Sequence, residues 1–194
     1  MNDLREKRRW RVTGPYEEIV TENPFSRIKT SFKEPMILPK TISLGVIQQI
    51  LSCAYNELES CCITKFHKNE ITRDIAVLEL LFATGARVSE ICMLKKNNID
   101  LINRTVRILG KGSRERIIQI ENPDVLQTLT SYYLVFKDDI EEKEWFFVNR
   151  LHNRLSEQSV RLMIKKHVEQ IGHNENISPH MFRHAYLNNL KTRQ

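Results

Sequence analysis

Polar and apolar positions divide the chain into helical stretches interrupted once by a β-rich segment. Val46, Ile47, Ile50 and Leu51 fall on one face of a helix for which Ser43 is a plausible N-cap. Ile71, Ile75, Leu78 and Phe82 repeat the pattern in a second helix, expected to open near Thr72. Thr84–Gly85 should end it, because glycine is favoured just past a helix C-terminus. A third helix starts at once with Arg87 and turns Val88, Ile91 and Cys92 toward the core. The period then changes. Thr105–Ile108 and Arg116–Ile120 are β-rich runs bracketing Gly110–Lys111–Gly112, the pattern of a hairpin. Helical spacing resumes over Pro123–Phe136, followed by a short apolar strand at Trp145–Val148. Val160, Ile164, His167 and Ile171 line another helix, and a last one begins just after Pro179. Together these elements predict a mainly α domain with a small antiparallel β-sheet, an α+β fold.

Residues 1–40 lack this periodicity. Arg5, Lys7, Arg8, Arg9 and Arg11 surround Trp10, and Pro15, Pro24, Pro35 and Pro39 punctuate the remainder. The stretch reads as a basic arm and linker ahead of one domain over residues 41–194. The formal charge of +6 favours a polyanionic partner. Its distribution is more informative than its sum. Asn103–Arg116 holds five basic residues against one acidic, and Arg161–Gln194 six against two. Asp138–Glu144 holds five carboxylates and one lysine. A basic face and an acidic back follow, and the basic clusters coincide with the candidate chemistry.

That chemistry is concentrated in three segments. SPHMFRH at Ser178–His184 sets His180 and Arg183 one helical turn apart, a pairing that suits a phosphodiester. ATGARVSE at Ala83–Glu90 places Arg87 at a helix start, where arginine is unfavourable unless an anion offsets it. Glu90 follows one turn later and is a candidate to orient it. GKGSRER at Gly110–Arg116 puts Lys111 between two glycines at the hairpin tip, a position equally compatible with plain turn chemistry. His184 reads as packing beneath the site rather than acting in it. Tyr186 reads as a core aromatic, although it shares a face with Arg183.

Arginine, then lysine, then His-x-x-Arg, in these contexts, resembles the catalytic domain of the tyrosine recombinases, or phage-type integrases. The resemblance covers about three quarters of the chain and is most specific from Leu80 to Gln119. Asn23–Lys29 (NPFSRIK) is similar to the linker that precedes that domain in the family. The resemblance implies DNA breakage and rejoining through a 3′-phosphotyrosine, with double-stranded DNA and other recombinase protomers as partners. It implies that Arg87 and Arg183 clamp non-bridging oxygens, Lys111 protonates the leaving oxygen, and His180 accepts or relays the phenol proton, with Glu90 and His184 in support. Such fixed positive charge needs no metal or other cofactor. The family's tyrosine nucleophile is expected beyond Gln194. A free phenol, with a pKa of about 10, is ionised in roughly one molecule in a thousand at pH 7, so it needs activation.

The competing reading is a non-catalytic DNA-binding remnant or regulator derived from an integrase. A metal-dependent nuclease would want paired carboxylates, and a phosphatase a cysteine in a loop; neither pattern is evident. Cys53, Cys61, Cys62 and Cys92 lack C-x-x-C spacing and read as reduced thiols. No apolar run approaches membrane-spanning length. The expected setting is the cytoplasm of a bacterium, with a phage or mobile-element origin.

Overall fold

The computed structural model describes residues 41–110, 112, 114–174 and 177–192, with side chains to residue 188. The basic arm expected over residues 1–40 lies outside them. Helix α1 spans Leu44–Glu59 and α2 Lys65–Thr84. Ser43 caps α1 as expected, its Oγ accepting from the Val46 N–H at 3.3 Å. Helix α2 begins seven residues before the expected Thr72. Thr64 caps it through the His67 N–H at 3.2 Å, while the Thr72 hydroxyl donates to the Lys68 carbonyl at 2.9 Å. Phe66, His67 and Lys68 break the apolar period and hid that first turn, since the capping signal is the threonine alone.

Helix α2 is the centre of the domain: Ile75 to Leu81 is buried without interruption, and α1, α4 (Pro123–Val135) and α7 (Pro179–Thr192) all pack against it. Helix α3, Val88–Cys92, is a single short turn, followed by a 3₁₀ turn at Lys96–Asn98. The sheet is antiparallel in the order β1-β2-β3, from Ile99–Asp100, Thr105–Leu109 and Glu115–Gln119. Its first strand, two residues long, carries too little pattern to be seen in the sequence. The hairpin is placed as expected, with Ile108 opposite Arg116.

Helices α4 (Pro123–Val135), α5 (Lys137–Lys143), α6 (Glu157–Gln170) and α7 (Pro179–Thr192) complete the fold. Trp145–Val148 is not a strand. Trp145 and Val148 each make one isolated bridge, to Lys95 and Arg154. The segment is apolar because Phe146 and Phe147 are buried edge to face, their centroids 5.0 Å apart. Buried Tyr132 pins it, donating to the Phe146 carbonyl and accepting from the Val148 N–H, both at 3.0 Å. His167 does sit on the apolar face of α6, fully buried. Its Nε2 lies 3.4 Å from Asp74 of α2 without a hydrogen bond, and Asp74 accepts from Arg73.

Candidate functional site

Gly85 organises the site. It ends α2 in the left-handed conformation, φ 56°, which an L side chain rarely adopts. A Cβ there would fall 2.2 Å from Cδ1 of Tyr186, so the ring of α7 lies directly on this glycine. The Gly85 carbonyl accepts a hydrogen bond from Nη1 of Arg183, one turn earlier on α7. Gly85 thus meets both Tyr186 and Arg183 of α7, and it stands two positions before Arg87 in the chain. Tyr186 is half-buried, held by its ring, and no hydrogen bond to its hydroxyl occurs among the described residues.

Arg87 is the N-cap of α3, with an extended backbone and a side chain 48% exposed. The anion that its position demands comes in part from the protein itself. Glu90 Oε2 accepts the Arg87 backbone N–H at 2.9 Å, and Oε1 accepts Nη1 at 3.0 Å. Arg116 of β3 approaches the same carboxylate, Nη2 to Oε2 at 2.6 Å and Nη1 to Oε1 at 3.3 Å. Burial by itself would raise the Glu90 carboxyl. The bonds from Arg116 and Arg87 outweigh it and hold the pKa down at about 2. At one turn, α3 is too short for its backbone to contribute much field, so the positive character resides in the guanidiniums.

The hairpin reaches this cluster through its base. Gly110 donates to the Arg114 carbonyl at 2.8 Å, and a Cβ on Gly110 would stand 3.5 Å from Nη1 of Arg116 and 3.7 Å from Oε1 of Glu90. Lys111, the next residue, lies outside the described residues. His180 is exposed in the first turn of α7, and His184 is half-buried one turn on. The described geometry therefore joins Arg87 with Glu90 and Arg183 with Gly85, and it sets His180 on the helix that carries Arg183. It also adds Arg116, which sequence reasoning counted only as part of a basic cluster. A signal for it exists: Arg116 and Ile118 share the half-buried face of β3, where a charge is unexpected without a partner.

Beyond Arg87 the surface continues as a cleft of ≈ 580 Å³ past Leu109 and Gly110 to Trp145. Two cations lie over the Trp145 ring, Lys95 Nζ at 5.7 Å and Arg154 Cζ at 5.3 Å. Two partly exposed guanidiniums with spare N–H groups, in a basic surround, suit an oxyanion such as a phosphodiester.

Comparison with known proteins follows the same line. Residues 48–194 match the phage integrase family, and the chain belongs to it. It is similar to a tyrosine recombinase of Agathobacter rectalis, 42% identical over 175 residues that cover 90% of this chain and 57% of the relative. It is similar also to the tyrosine recombinase XerC of Actinobacillus pleuropneumoniae, 31% identical over 90% of this chain and 53% of that one. The chain spans about half the length of these curated relatives. Among solved structures, the fold matches XerA recombinase with a TM-score of 0.65 at 21% identity, covering 82% of this chain and 53% of that one. It matches XerH bound to its difH substrate with a TM-score of 0.66 at 18% identity, covering 81% and 44%. The mainly α fold with its small antiparallel sheet is that of a tyrosine recombinase catalytic domain.

Proposed function

We propose that residues 41–194 act as the catalytic domain of a site-specific DNA recombinase, which breaks and rejoins duplex DNA through a 3′-phosphotyrosine. The observation that carries this reading is the hydrogen bond from Arg183 of α7 to the carbonyl of Gly85, which stands two residues before Arg87 in the chain. In this reading the two guanidiniums take the non-bridging oxygens and become most complementary when charge builds on them in the pentacoordinate state. Lys111 delivers a proton to the departing 5′ oxygen, and His180 takes or relays the phenol proton. Glu90 orients Arg87, and His184, one turn on from His180 on α7, packs beneath the site. Duplex DNA is the partner, in an assembly with further protomers; a XerH–difH complex and a lambda integrase dimer on a core site are precedents in similar folds. The arm over residues 1–40 adds non-specific phosphate contacts. A bacterial cytoplasmic setting accords with the bacterial relatives.

Titration of a labelled duplex at several salt concentrations tests the reading. Affinity should fall steeply with salt, because phosphate contacts release counterions. Arg87→Ala and Arg183→Ala should each flatten the plot of log affinity against log salt by about 0.9, the loss of one contact. Parental slopes in both variants would refute the phosphate clamp.

A further inference from the structure

Arg116 has no role in the function proposed above, yet it is the partner most closely engaged with the buried Glu90. Each Glu90 oxygen receives one N–H from Arg116 and one from Arg87, side chain or backbone, so four donors surround one carboxylate. A carboxylate offers about four acceptor sites, and these are filled. The Arg87–Glu90–Arg116 group then carries one net positive charge. Without Arg116, Glu90 would have a single cation beside it. Arg87 could take both its oxygens in a fork, and the pair would be neutral.

We infer that Arg116 is a positioning residue for the phosphate clamp: by sharing Glu90, it leaves the group net positive, with Arg87 fixed in pose and open toward an incoming phosphate. The inference rests on the clamp reading above and deepens it. Arg116 also links two parts of the site mechanically. It stands opposite Ile108 in the β2–β3 hairpin, while Glu90 stands on α3 beside Arg87. Seating the hairpin and orienting Arg87 thus become one event. Arg116 is only partly buried, 35% exposed against 6% for the Glu90 side chain, so it reaches in from the rim to a carboxylate that is already buried.

The test is duplex binding against salt for four variants, with circular dichroism to confirm folding. Arg116→Gln removes the shared charge but leaves Arg87 in place. It should weaken binding several-fold and flatten the salt slope by about 0.9, matching Arg87→Gln. Arg116→Lys keeps the charge and should keep the slope. The decisive variant is Glu90→Gln with Arg116→Gln, which restores the net positive charge, while the amide oxygen that replaces the carboxylate can still accept the Arg87 N–H. It should recover the parental slope; a residue needed only for structure would leave the double variant no better than Arg116→Gln. A parental slope in Arg116→Gln, or no recovery in the double variant, would overturn the inference. If Arg87→Gln itself leaves the slope unchanged, the clamp reading fails and this inference falls with it, an outcome distinct from failure at Arg116 alone. Should Arg116→Gln not fold, carboxyl NMR of the unaltered chain decides. A Glu90 midpoint at about 2 supports the shared carboxylate, and one near the ordinary value of about 4.3 overturns it.

Discussion

Glu79 and Glu90 lie eleven residues apart on either side of Gly85, and each is 8% exposed, yet the fold treats them in opposite ways. Both lose water, which by itself favours the neutral acid. At Glu79 burial dominates, the negative charge of Asp124 adds to it, and only the Tyr55 hydroxyl, donating at 3.1 Å, opposes them; the carboxyl is pushed up. At Glu90 two arginines and a backbone N–H more than offset burial, and the carboxyl is held at about 2. Equal burial therefore says nothing about charge state. The partners decide, and in the proposed reading the carboxylate kept ionised by two part-exposed arginines is where positive charge is organised for a phosphate. Glu79, among the hydroxyls of Tyr55 and Thr128, has no such outlet.

The residue midway between the two glutamates should give the largest effect. Gly85→Ala forces a side chain into a left-handed backbone and onto the Tyr186 ring, a cost of about 3 kcal/mol or more. Urea unfolding measures it, and a loss under about 0.5 kcal/mol would contradict the docking of α7 on this glycine. Glu90→Gln comes next, with a loss of about 2 kcal/mol at pH 7; the shift alone would allow more, but both arginines are partly exposed and screened. The sign follows from the lowered pKa. This stability is fully present above the unfolded carboxyl value of about 4.3 and is lost as pH falls toward about 2.

Glu79→Gln should go the other way. A carboxyl with a raised folded pKa costs stability as pH rises through the unfolded and then the folded value. The variant should therefore be as stable as the parent at acid pH and more stable at pH 7, by up to about 1 kcal/mol. Stability curves against pH for the two variants should diverge; curves moving together would break the contrast. Tyr186→Phe should do least, changing stability and duplex affinity by no more than about 0.5 kcal/mol, since the ring is retained and the hydroxyl makes no hydrogen bond among the described residues. Any covalent DNA adduct recovered from the protein should map elsewhere than Tyr186.

Much of this was legible in the sequence because the governing rules are local. The end of α2 at Gly85, the core direction of Val88 and Ile91, and the hairpin around Gly110–Gly112 each follow from neighbours within a few residues. Arg87, Glu90 and Arg183 were likewise visible as candidates, two of them one turn apart. What escaped depends on contacts across the chain. The burial of Phe146 and Phe147 imitates a strand, but a tyrosine hydroxyl fourteen residues upstream holds them. Arg116 looks like one charge in a basic run until Glu90, twenty-six residues earlier, is found beneath it. The closeness of Tyr186 to Gly85 is invisible to periodicity, because it concerns a missing side chain rather than one that is present.

The most direct measurement is a crystal structure of this chain with a short duplex. The expected result is one phosphate whose non-bridging oxygens lie about 3 Å from the guanidiniums of both Arg87 and Arg183, with Glu90 still bound to Arg116. A duplex seated with neither guanidinium on a phosphate would contradict it.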